Sequence, residues 1–260
     1  MDKPGAGLTV GLFATCINDI MFPQTPQAVV SLLERLGCRV SFSEQQTCCG
    51  QMFTNTGYFA DGLKTVKAYV AAFADCDYVV APSASCVGAV RHQHSMLVSE
   101  SASILNQRSQ LNPGLAEQVE RLAAISLDLT EFLVDVLGIT DVGASFRHTV
   151  TYHPTCHSVR VAHVGDRPLR LLKAVRGLQI VDLPDSDTCC GFGGTFSVKN
   201  SDVSIALATQ KANNVHATGA EYLVTVDNAC LMNIGGVLRR QGSPVKPIHL
   251  AEILNSQEAR

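Results

Sequence analysis

Apolar and polar positions recur with two different periods along this chain, and each change of period marks an element. Thr9-Val10-Gly11-Leu12-Phe13 is a short β-rich run ending in a polar loop at Cys16. Val29, Leu32, Leu33 and Leu36 then recur at i, i+3, i+4 and i+7, one apolar helical face that Gly37 stops. Thr25 is the expected cap of that helix, with Pro26 at its first position. A short strand near Arg39 to Phe42, a Cys-Cys-Gly loop, a helix across Asp61 to Ala74 and a strand at Tyr78 to Ala81 ending near Cys86 follow. Asn112-Pro113-Gly114 reads as a turn, and a helical stretch through about Gly138 closes this first part.

The plan then starts again. Thr9-Val10 and Thr15-Cys16 return as Thr149-Val150 and Thr155-Cys156, at an offset of 140. Thr47-Cys48-Cys49-Gly50 returns as Thr188-Cys189-Cys190-Gly191, and Tyr78-Val79-Val80 with Cys86 returns as Tyr222-Leu223-Val224 with Cys230. The tails echo at a shorter offset, Leu129-Thr130-Glu131-Phe132-Leu133 against Leu250-Ala251-Glu252-Ile253-Leu254. Such self-similarity predicts two tandem, pseudo-symmetric α/β modules, residues 1–145 and 146–260, each with a mostly parallel sheet. Ligands of such sheets sit in loops at the carboxyl ends of strands, where the repeated cysteines fall.

Composition narrows the chemistry. With 260 residues, 46% of them hydrophobic, the chain has material for one large domain or two smaller ones. A net charge of −3 provides no basic field for a nucleic-acid backbone. No apolar run reaches the ~20 residues of a membrane span, and the start, Met1-Asp2-Lys3-Pro4-Gly5, lacks the layout of a signal peptide. The expectation is a cytoplasmic protein without a membrane span. In a reducing cytoplasm, clustered cysteines point to metal or redox chemistry rather than to structural disulfides.

Eight of the ten cysteines form two sets, Cys16, Cys48, Cys49, Cys86 and Cys156, Cys189, Cys190, Cys230, whereas Cys38 and Cys76 lack counterparts and read as core. Four thiolates brought to one point repel each other unless a cation is present; coordination turns that repulsion into ligation. Zinc and an iron–sulfur cluster both accept four cysteines. Adjacent cysteines strain to share one tetrahedral zinc, while a multi-iron cluster offers them different irons. Buried structural thiols and vicinal disulfides are the remaining alternatives.

The Cys-Cys-Gly repeats resemble the cysteine-rich domain found in heterodisulfide reductase. Gln46-Thr47-Cys48-Cys49-Gly50-Gln51 with Asn55-Thr56-Gly57-Tyr58, Cys189-Cys190-Gly191-Phe192-Gly193-Gly194-Thr195-Phe196-Ser197 and Cys230-Leu231-Met232-Asn233-Ile234-Gly235-Gly236 are more narrowly similar to the lactate-utilisation protein A family. That resemblance implies an iron–sulfur electron-transfer subunit of a complex oxidising L-lactate to pyruvate, working beside a ferredoxin-like iron–sulfur subunit and a third subunit. It implies a part of an oxidoreductase rather than a complete enzyme. It also implies one or two [4Fe–4S] clusters on the eight cysteines, with zinc as the alternative in one half. A thiol–disulfide reductase subunit of heterodisulfide type and a zinc-stabilised scaffold are the rival functions.

The wider domain family often ends each motif with Cys-x-x-Cys, where this chain has Ser83-Ala84-Ser85-Cys86 and Asp227-Asn228-Ala229-Cys230. Ser83 and Asp227 are thus either oxygen ligands or caps of the turns after their strands. His153 and His157 flank Cys156 with Arg160 nearby, and the first half has no equivalent of them. A histidine beside a cluster passes protons or tunes its potential, and Arg160 could fork onto a carboxylate. Gly191-Phe192-Gly193-Gly194, before a helix capped near Ser201 or Asp202, lacks dinucleotide-binding spacing; its glycines suit close backbone approach to a bulky cluster. His92 and His94 read as a helix-end surface.

Overall fold

The computed structural model describes residues 3–104 and 113–257. The first half runs β1 (Thr9–Leu12), α1 (Cys16–Met21), α2 (Gln24–Arg35), β2 (Arg39–Ser41), α3 (Gln51–Thr56), α4 (Phe59–Phe73), β3 (Tyr78–Ala81), α5 (Ala84–Ile104), α6 (Pro113–Ile125), β4 (Ser126–Asp128) and α7 (Leu129–Glu131), which continues as a π-helical turn over Phe132–Val136. The second runs β5 (Thr149–Tyr152), α8 (Cys156–Arg160), α9 (Arg167–Lys173), β6 (Gln179–Val181), α10 (Phe196–Lys199), α11 (Ser201–Ala217), β7 (Tyr222–Thr225), α12 (Asn228–Arg240), β8 (Lys246–His249) and α13 (Leu250–Asn255). Each half forms one four-stranded sheet, in the orders β2-β1-β3-β4 and β6-β5-β7-β8, and every pairing is parallel. The register repeats as well: Val10 pairs with Val40 and Tyr78, and Val150 with Ile180 and Tyr222. The fold is thus α/β with two repeated modules. Its strand order reverses at β1/β3 and β5/β7, the crevices where such sheets bind ligands.

One apolar core joins the halves. Val10, Leu32, Leu33 and Leu133 from the first pack in the same buried cluster as Val150, Leu171, Leu172 and Leu254 from the second. Separate clusters fill the outer faces, one around Phe13, Val66 and Phe73, the other around Ala212, Val215 and Ile234. The echoing tails explain the shared core, because each crosses over. Helix α13 packs on α2, and α7 packs on α9. Polar contacts lock this exchange: Thr25 Oγ1 donates to Glu252 at 2.6 Å, and Arg167 pairs with Asp135 at 2.7 Å.

Several expectations give way here. Thr25 is no cap: α2 starts two residues earlier than expected, at Gln24 after Pro23, and the buried Thr25 hydroxyl is taken by Glu252. Pro113 does not turn the chain but opens α6, suiting a first helical turn, while Asn112 lies outside the described residues, as do Met1 and Asp2. The stretch toward Gly138 is not one helix, because β4 interrupts it: Val79 to Ala81 of β3 pair with Ser126 to Asp128. Helix α11 starts at Ser201 after Asn200, with no side-chain cap.

Candidate functional site

Every cysteine of the two sets follows the carboxyl end of a strand. Cys16 and Cys156 open α1 and α8 after β1 and β5, and Cys86 and Cys230 sit in the first turns of α5 and α12 after β3 and β7. The adjacent pairs occupy the loops after β2 and β6, and a glycine lets the chain turn away behind each. Gly50 and Gly191 have φ of 85° and 83°, and a Cβ at Gly191 would lie 2.6 Å from the Ser204 carbonyl oxygen. Their N–H groups point back at sulfur, Gly50 to Cys48 at 3.5 Å and Gly191 to Cys189 at 3.3 Å.

The eight sulfurs belong to one cleft. A cavity of 530 Å³ is lined by Cys16, Cys48, Cys49 and Cys86 from one half and Cys156, Cys189, Cys190 and Cys230 from the other. In the second set Cys190 Sγ lies 2.7 Å from Cys230 Sγ, and Cys156 Sγ lies 4.0 Å from Cys189 Sγ and 3.6 Å from His157 Nδ1. A sulfur separation of 2.7 Å is too long for a disulfide and well inside van der Waals contact; all ten cysteines are unpaired. Cys48 and Cys189 are held well below the ordinary thiol range, each first because a neighbouring thiol, Cys16 or Cys156, donates a hydrogen bond to it. The same bonds push Cys16 and Cys156 up, and Cys49 and Cys190 rise with them. Crowded sulfurs, one of them a favoured thiolate in each set, fit a soft metal or an iron–sulfur cluster, which would deprotonate the others.

The remaining predicted residues separate into distinct roles. Ser83 Oγ accepts from Cys86 N–H at 3.3 Å, a turn cap, and also donates to Asp227 Oδ1 at 2.5 Å. Asp227 does not cap its own helix α12 with its side chain: it takes Ser85 Oγ on Oδ1 at 2.8 Å, and Thr155 Oγ1 at 3.0 Å and the Ser85 N–H of the first turn of α5 at 3.3 Å on Oδ2. Its carboxylate therefore ties the two halves together between the thiol sets. His157 lines the cavity. His153 is fully buried, with no well-formed hydrogen bond on either ring nitrogen and only a contact with the Ser186 backbone, and burial followed by the charge of Lys211 lowers its pKa to about 4. Arg160 is exposed and stays out of the cavity lining, donating to the Asp187 carbonyl at 3.5 Å. Cys38 is core, and Cys76 lies 3.5 Å from Ser41 Oγ, away from the sets.

Three residues were not anticipated. His94 is no surface residue: it is buried in α5 with Nε2 2.9 Å from the Cys49 carbonyl, while His92 is exposed. The periodicity of a helix starting at Cys86 puts Val90, His94 and Leu97 on one buried face, and that was the available signal. Lys211 is fully buried, its ammonium donating to the Asp185 carbonyl, at the position where the first half has Tyr69. Asn228 bridges the halves through Asn18 Oδ1 and Thr25 Oγ1, both at 2.8 Å.

The repeated sheet and its paired thiol sets define a two-repeat cysteine-rich domain protein, and the cysteine-rich (CCG) domain indeed matches residues 10–91 and 150–235. Lactate utilization protein A of Oceanobacillus iheyensis is 45% identical over 249 residues, 96% of this chain and 97% of that protein. Those of Geobacillus kaustophilus and Bacillus subtilis are each 43% identical over 250 residues, 96% of this chain and 100% of the relative. The chain belongs to the lactate utilization protein A family.

Proposed function

We propose that this protein is the iron–sulfur electron-transfer subunit of a cytoplasmic complex oxidising L-lactate to pyruvate. One centre would rest on Cys16, Cys48, Cys49 and Cys86, the other on Cys156, Cys189, Cys190 and Cys230, with the repeats dividing near residue 145. The observation that carries this reading is the facing of both thiol sets into one cavity, in a chain 45% identical to a lactate utilization protein A. A bound [4Fe–4S] cluster supplies one-electron transfer. The chain's residues supply the rest: cysteines hold, Gly50 and Gly191 bring backbone N–H groups to sulfur, and His157 stands within reach of Cys156 to bond a sulfur or carry a proton.

Electrons must leave through another polypeptide, because the sequence has no Cys-x-x-Cys-x-x-Cys-x-x-x-Cys-Pro run. Val198 in the cavity lining is exposed at 81%, and Ile20, which lines an adjoining pocket with Cys16 and Cys48, at 74%, an apolar surface suited to a ferredoxin-like partner. No helix of the described residues is long and apolar enough to cross a membrane.

The test is iron, zinc and acid-labile sulfide per chain on anaerobically purified protein, followed by lactate-dependent pyruvate formation in the reconstituted complex. About eight irons with matching sulfide correspond to two [4Fe–4S] clusters, and about four with one zinc to a divided pair. Zinc alone returns the chain to a scaffold, and pyruvate formation that does not need this protein refutes the lactate assignment.

A further inference from the structure

The two thiol sets repeat, but what surrounds them does not. Phe13 and His153 are equivalent residues one step beyond β1 and β5: Phe13 N–H donates to the Val80 carbonyl at 3.0 Å, and His153 N–H to the Val224 carbonyl at 2.9 Å. In the first half that position is a phenyl ring stacked edge-on against Tyr69 and Phe73, with centroids 5.1 and 5.8 Å away. In the second it is an imidazole. A ring nitrogen of His153, Cys190 Sγ and Cys230 Sγ all lie within 4.8 Å of one another, the one such donor group among the described residues. Donors sharing one metal ion at Zn–S and Zn–N bond lengths stand about 3.5–3.8 Å apart, so a small adjustment closes this triad on a single ion.

We propose that His153 is a metal ligand, so that the second half holds a mixed thiolate–imidazole centre while the first holds a centre ligated by thiolates alone. The inference rests on the metal-binding reading above and goes beyond its cysteine ligands. A buried imidazole with no well-formed hydrogen bond on either nitrogen, its contact with the Ser186 backbone falling outside hydrogen-bond geometry, is a costly residue to keep unless something coordinates it. Asp227, the other residue of the second half placed to replace a missing thiolate, is already filled by Ser83, Ser85 and Thr155.

The test is X-ray absorption at the edge of the iron or zinc carried by the anaerobically purified full chain. It is run on the native protein and on a Cys48→Ser, Cys49→Ser variant that confines metal to the second half. Imidazole scattering is expected in both, stronger in the variant. His153→Phe, which installs the first half's residue, removes that scattering and most of the second-half metal, and His153→Cys restores the metal with sulfur in place of nitrogen. A sulfur-only shell around the metal of the native protein overturns the proposal and leaves the iron–sulfur reading standing. A native chain that binds neither iron nor zinc overturns both. Since the native protein alone separates these outcomes, a variant that fails to fold does not decide the matter.

Discussion

Removing the Asp227 carboxylate separates a structural role from metal ligation at the junction of the halves. The side chain is 2% exposed and accepts four bonds, three from hydroxyls at 2.5, 2.8 and 3.0 Å and one from a backbone N–H at 3.3 Å. Each bond to a charged acceptor is worth ~1.5–3 kcal/mol, set against the desolvation that raises the pKa of this carboxyl. Asp227→Asn keeps an oxygen for Ser83 and Ser85 but turns an NH₂ toward Ser85 N–H and Thr155; losing one or two bonds while relieving a buried charge gives a net cost of ~2 kcal/mol. Asp227→Ala strands every donor and costs ~3–5 kcal/mol. The sequence has no tryptophan, so urea unfolding is followed by far-UV circular dichroism, with bound iron and zinc measured on the same samples. The expected result is a lower midpoint for Asp227→Asn with metal content intact, against Cys230→Ser, which loses second-half metal. Should Asp227→Asn shed metal as Cys230→Ser does, at unchanged stability, the carboxylate is a ligand and this reasoning is wrong.

Other perturbations probe the frame around the site. Gly191→Ala forces a left-handed φ and drives a Cβ to 2.6 Å from a backbone carbonyl, whereas Gly57→Ala has φ of 79° but open space; the first should lose second-half metal, the second only ~1–2 kcal/mol of stability. Leu254→Ala, in the core both halves share, should cost ~2–5 kcal/mol and leave one cooperative transition, with separate transitions by two probes arguing against the exchange of α13. His249 is buried with a pKa lowered to about 4, while the unfolded residue titrates near its ordinary value. The unfolded chain therefore binds more protons between those values, and this residue's contribution to stability falls by ~2 kcal/mol from pH 7 to pH 5. His249→Asn keeps a capping acceptor for Ala251 N–H and should flatten the pH dependence by that amount; parallel profiles would contradict it.

Much of this arrangement is legible in the sequence, where geometry leaves little choice. The thiol sets need strand ends, and Cys48-Cys49-Gly50 and Cys189-Cys190-Gly191 need a glycine that can turn, so spacing and motif repeat together. Strand β3 also runs from Tyr78 to Ala81 as read. What escapes local reading is settled by distant neighbours. β4 has three residues, too few for a period, and exists because β3 offers an edge. Thr25 looks like a cap until Glu252 and Asn228, more than two hundred residues away, claim its hydroxyl. The echo of residues 129–133 in 250–254 is visible, but not that each helix crosses over, because both present similar apolar faces to similar partners. Superposing the repeats recovers one thing more. Phe13 becomes His153, Ile17 becomes His157, and Tyr69 becomes Lys211, while the first set keeps His94 beside Cys49, so the two thiol sets have different basic neighbours. Under the proposed function, two centres with the same sulfurs but different neighbours would differ in potential, and that difference would give electron flow between the halves a direction.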